Sequence, residues 1–157
     1  MNESPVSIPL IILLFLVFFA VLWSGITVLL AYLSGWRALA GRFRGPLRAP
    51  EDTVGLASAR IWRWAPVRYG SVLNVSAGRE GVGLSVFPLF ALVSPPLAIP
   101  WEAMGDVRAW RSFGRFPRLR FSIADPAVTV TLHGRAADLV LAQLGRWSPE
   151  RAPLDSR

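Results

Sequence analysis

Ile8–Leu33 reads IPLIILLFLVFFAVLWSGITVLLAYL, a run of 26 residues without a charge. A bilayer core of about 30 Å is crossed by about 20 apolar residues rising 1.5 Å each. The run exceeds that length and is apolar all round, which a helix buried in a soluble core seldom is. Pro9 lies near its start, where a missing N–H is tolerated. Tyr32 and Trp36 close it, as an aromatic belt would. The sequence therefore predicts one transmembrane anchor over residues 1–35.

A cleaved secretory signal is the rival reading. Such a signal carries a basic head, an apolar stretch of roughly 7–15 residues and a small-residue cleavage site. The head here, MNESPVS, has no basic side chain, and the apolar run is too long. Ala38-Leu39-Ala40 imitates a cleavage site, but Arg37 stands directly before it.

Charge is placed as unevenly as hydrophobicity. Glu3 is the only charged residue before Arg37, and Arg37, Arg42, Arg44 and Arg48 then follow closely. Basic residues gather on the side of a span that is not translocated. The expectation is a single-pass protein of the bacterial inner (cytoplasmic) membrane, with its N-terminus outside and its C-terminal domain cytoplasmic. The net charge is +7, and every basic residue is Arg. Arginine suits phosphate and carboxylate, though a GC-rich genome also supplies Arg for Lys. Cysteine is absent, which excludes disulfides, thiol catalysis, Cys-ligated zinc and Cys-linked lipid anchors.

Within the anchor, Ala20, Ser24, Thr27, Ala31, Ser34 and Gly35 fall within an arc of roughly 100°. Small residues let membrane helices approach closely. The stripe is a candidate packing face for a second copy or for a larger membrane protein. Residues 36–53 form the juxtamembrane segment. In a helix, Trp36, Leu39, Ala40 and Phe43 share one side, Arg37 and Arg44 lie opposite, and Arg42 stands at the border. That pattern suits a short helix in the headgroup layer, with arginines reaching anionic lipid. Gly45-Pro46 and Pro50 break it, so Pro46–Thr53 reads as a linker.

Short alternating segments divided by Gly and Pro follow, predicting seven strands. These are Val54–Trp64, Tyr69–Ser76, Val82–Phe90, Leu97–Trp101, Asp106–Trp110, Leu119–Ile123 and Val128–His133. Arg135–Trp147 has a mostly apolar stripe at helical spacing, and Ser148–Arg157 reads as a disordered tail. Gly83-Leu84-Ser85, then Pro95-Pro96-Leu97-Ala98-Ile99-Pro100-Trp101, then Val107, resembles small bacterial single-pass membrane proteins with a PH- or GRAM-like domain. Met104 stands where that pattern has Ile or Leu. The resemblance implies a pleckstrin-homology-like fold over residues 54–147. By analogy of fold alone, it also implies binding of lipid headgroups, peptides or proteins. It carries over no catalytic residue.

No catalytic constellation emerges. His133 has no nucleophile or metal partner nominated for it, and Glu102 with Asp106 makes a poor metal site. The glycines of Gly78–Gly83 lack the Lys-Ser/Thr of a phosphate loop and read as a hairpin turn. The expectation is no enzyme, no cofactor and no metal. Arg108–Arg120, RAWRSFGRFPRLR, is the densest basic and aromatic segment. Its Arg111–Arg118 portion is read as a loop, and the plainer alternative is a hairpin whose aromatics reach the core and whose arginines are solvated. Arg108, Arg111, Arg115, Arg118 and Arg120 would meet phosphates, and Trp110, Phe113 and Phe116 would wedge into the interface. Together with Arg37, Arg42 and Arg44 these form the candidate anionic-lipid site. The functional expectation is a membrane-tethered binding or adaptor module, contacting anionic lipid or a protein. The alternative is an accessory subunit docked through the helix. A nucleic-acid partner is not expected, because the tether holds the domain at the bilayer.

Overall fold

A computed structural model of the chain describes residues 7–91 and 93–152. Helix α1 spans Ser7–Ser34, and none of its most apolar window is buried against the rest of the chain. It is long and apolar enough to cross a membrane. Gly35 breaks it in the left-handed conformation (φ 86°), and α2 then runs Trp36–Phe43. A Cβ at position 35 would lie 2.8 Å from Arg63 Cβ and 2.9 Å from Val128 Cγ2. Only glycine meets both the dihedral and the space.

Seven strands follow: β1 Pro50–Trp62, β2 Pro66–Gly78, β3 Gly81–Val86, β4 Leu97–Pro100, β5 Met104–Ser112, β6 Phe116–Ile123 and β7 Val128–His133. They form one curled antiparallel sheet in the order β4-β3-β2-β1-β7-β6-β5. Edge strands β4 and β5 are joined by a single 3₁₀ turn, Trp101–Ala103. Helix α4, Arg135–Trp147, packs on β1, β2, β6 and β7. Inward alternation supplies the core: Ile61, Leu73, Val75, Leu84, Ile99, Phe121, Val130 and Leu132 are fully buried, with Val140 and Leu144 from α4. The indole N–H of Trp101 donates to the carbonyls of Gly78 and Arg79, at 3.1 Å each, and pins the β2–β3 turn.

Four expectations need correction. The apolar side of α2 is covered by protein, not lipid: Trp36 and Leu39 are 0% exposed and belong to the core. The Trp36 indole donates to Pro95 O at 2.9 Å, and a buried indole needs such an acceptor. Pro46–Thr53 is not all linker, because β1 begins at Pro50 and Leu47 is buried. The third strand stops at Val86. Pro88 opens a single helical turn, α3 (Pro88–Ala91), since proline cannot donate to the ladder. Arg111–Arg118 is not an open loop but the tight hairpin of the alternative reading, with Ser112 paired to Phe116 across Phe113-Gly114-Arg115, though its aromatics stay exposed.

The beginning of the expected tail also differs. Ser148 is buried, Pro149–Arg151 form a 3₁₀ turn, and Arg151 Nη1 donates to Met104 O at 2.6 Å. Residues 153–157 lie outside the described residues.

Candidate anion-binding face

The outer face of the sheet carries a row of arginines that only strand register brings together. Side chains alternate along each strand, so Ala59 and Ile61 point inward while Arg60 points out. Register then aligns Arg68 of β2 with Arg60 of β1, Arg60 with Thr131 of β7, Thr131 with Arg120 of β6, and Arg120 with Arg108 of β5. Four of the five positions in one transverse line are arginines. At about 4.8 Å per strand the line is about 19 Å long. Directly opposed like charges cost roughly 0.2–1 kcal/mol per pair, and this row contains two such pairs, Arg60/Arg68 and Arg108/Arg120. Asp106 pairs with Arg108 at 3.0 Å. Among the described residues Arg60, Arg68, Arg118 and Arg120 make no ion pair.

The next line across the sheet runs Ser58, His133, Arg118, Trp110. Here a cleft of about 450 Å³ opens, lined by Arg60, Arg68, Arg118, His133 and Arg135 among others, with no carboxylate among its lining residues. Gly134 and Ala136 bring the N-terminus of α4 to the same cleft. A helix N-terminus adds partial positive charge and free N–H groups. The Nε of Arg118 is buried with no hydrogen-bond partner, an arrangement folded proteins seldom leave unexplained. Burial lowers the pKa of His133, and the charges of Arg118, Arg60 and Arg68 lower it further. The imidazole is thus held neutral by a field that favours anions.

The sequence-predicted residues divide into three groups. Arg108, Arg118 and Arg120 lie on this face beside the exposed Trp110. Arg111, Phe113, Arg115 and Phe116 belong to the β5–β6 tip, where Phe113 is 92% exposed, so these aromatics do not fill the core. Arg37 and Arg42 are exposed on α2 and Arg44 just after it, where it bridges to Leu97, and Arg42 pairs with Asp125 at the other end of β6. Six residues of β6 intervene between Phe116 and Ile123, a strand length of about 23 Å, so α2, paired near Asp125, and the tip are separate patches.

Arg60, Arg68 and His133 were not singled out from the sequence for this role. The alternation ARIWRW marks the outward side of β1, but only cross-strand register joins Arg60 to its neighbours. The packing stripe is also divided. Ala31 and Ser34 are buried against the chain's own domain, with Ser34 Oγ 3.0 Å from Tyr69 Oη. Gly35 forms the helix break, and Ala20, Ser24 and Thr27 remain along α1, with Thr27 Oγ1 donating to Trp23 O and Ser24 O.

The β1–β2 turn touches the base of α1, where the N–H groups of Trp64 and Ala65 reach Leu33 O at 3.1 and 3.3 Å. Trp62 and Trp64 are exposed there, and the Arg63 guanidinium lies 5.6 Å over the Trp64 ring. Arg68 lines both the basic cleft and a smaller apolar crevice against α1. The arginine row therefore starts beside the apolar helix. Comparison with protein-family models, with curated proteins and with solved structures gave no significant match.

Proposed function

We propose that this chain is a single-pass membrane-tethered module whose arginine face binds the anionic headgroups of the bilayer that holds it. The observation carrying the reading is the Arg68–Arg60–Thr131–Arg120–Arg108 row, which begins at a residue lining the crevice against α1. Guanidinium forks match phosphate oxygens. An anionic partner relieves the repulsion that the row builds in.

Retention of α1 is supported by packing. Cleavage after Ala40 would remove Trp36 and Leu39, both fully buried, from the core. A disposable leader has no reason to supply core side chains. The arginines after α1 support a cytoplasmic domain in the bacterial inner membrane, and a C-terminal reporter fusion tests that sidedness. The curled seven-stranded sheet followed by one helix supports the pleckstrin-homology-like reading. The accessory-subunit alternative keeps only the upper half of its stripe, because Ala31, Ser34 and Gly35 are occupied by the chain itself.

The test uses the cysteine-free full chain with Thr131→Cys, labelled with a fluorophore, in bilayer discs of neutral or anionic lipid. Protection from a water-soluble quencher should rise in anionic discs and vanish with Arg60→Gln/Arg68→Gln. Equal protection in both lipids rejects lipid as the ligand.

A further inference from the structure

We infer that Phe87–Ala91, with Val93, forms a second membrane-contacting element, seated beside α1 inside the hydrocarbon layer. The inference rests on α1 spanning the bilayer. Its observation is separate from the arginine face: the rings of Trp23 and Phe90 lie 5.9 Å apart. Trp23 stands 11 residues before the end of α1 at Ser34, about 16 Å along the helix axis. The 28 residues of α1 measure about 42 Å, against a core of about 30 Å. Even if all the surplus lay at the Ser34 end, Trp23 would remain on the order of 5 Å inside the hydrocarbon. Phe90 touches it and shares that environment.

The sequence of the segment fits. From Gly81 to Trp101 no charged residue occurs, and residues 86–93 read VFPLFALV. Several backbone groups of the segment are already paired within the chain. Irregular chain is costly in lipid unless its polar groups are satisfied internally. Phe87 N–H donates to Val72 O at 2.8 Å, Phe90 N–H to Phe87 O at 2.9 Å, and Ser94 N–H to Phe90 O at 3.0 Å. Pro88 has no N–H to satisfy. Phe87 is 53% exposed although large and apolar, and a soluble surface would not favour it beside an equally bare helix. Between α1 and this segment lies an apolar crevice of about 190 Å³, walled by Thr27, Leu30, Val72, Val86 and Phe90. An acyl chain is the apolar filler available at that depth. Arg68 at the same crevice then stands where a lipid phosphate would lie.

The experiment places spin labels at Val21→Cys, Phe87→Cys and Ala91→Cys, singly, in the full chain reconstituted in phosphatidylcholine/phosphatidylglycerol vesicles. Collisions with oxygen and with a water-soluble nickel chelate are compared. Oxygen should dominate at all three positions, since oxygen partitions into the acyl layer and the chelate does not. Oxygen dominating at 21 but nickel at 87 and 91 overturns the insertion while leaving the span intact. Nickel dominating at 21 overturns the span, and the inference with it.

Discussion

Arg60 and Arg68 stand directly opposite each other on β1 and β2, and neither meets a carboxylate among the described residues. Two guanidinium groups so placed repel in the free protein. Replacing both with glutamine should leave stability unchanged or raise it by up to about 1 kcal/mol, while abolishing the preference for anionic lipid. Denaturant midpoints and the labelled-disc assay check the two halves. A marked loss of stability would instead mean that the pair is held by interactions within the fold.

His133 reports on the same field. Its folded pKa is lowered by burial, then by Arg118, Arg60 and Arg68. The unfolded chain thus binds more protons than the native one as pH falls through the ordinary histidine range. The stability tied to neutral His133 is therefore present above about pH 6.5 and declines as pH falls below it towards the lowered folded value. Titration of the imidazole by NMR should give a midpoint below that of an ordinary histidine in neutral micelles. The midpoint should move upward when anionic lipid is added, because a phosphate beside the ring favours its cation.

Trp36 joins the α1–α2 segment to the core of the sheet. Trp36→Ala should cost about 3–5 kcal/mol by opening the core, whereas Trp62→Ala, at an exposed site, should change stability by less than about 0.5 kcal/mol. Chemical unfolding in detergent separates them. Equal effects would mean that α2 is only peripherally attached.

Gly35→Ala tests the junction. A left-handed φ combined with a Cβ pressed against Arg63 and Val128 should cost about 1–3 kcal/mol. Gly114→Ala, also left-handed but in open space, meets only the dihedral strain. The difference between the two melting temperatures isolates the packing.

Much of the fold is legible in the sequence, for reasons visible in particular residues. Val128–His133 and Arg135–Trp147 occur as expected because the period changes sharply at Gly134, from two to 3.6. Val82–Phe90 misleads at its far end, because the apolar run Val86–Phe90 carries no alternation and Pro88 decides the outcome. Amphipathicity marks the apolar side of α2 but not its cover, so Trp36 and Leu39 read as lipid-facing when they are core. The arginine row was hidden for another reason. Arg60 and Arg68 belong to one hairpin and Arg108 and Arg120 to another well separated in sequence, and a one-residue slip in any strand would place them on the other face.

A retained α1 is the physical premise of the tethered module. Membranes from cells expressing the chain can be washed with alkaline carbonate, and the intact mass of the retained protein measured. The uncleaved 17.3 kDa species should stay with the membrane. Release of the protein into the wash, or a mass shortened by removal of the residues before Gly41, would contradict the tether and the core built on Trp36 and Leu39.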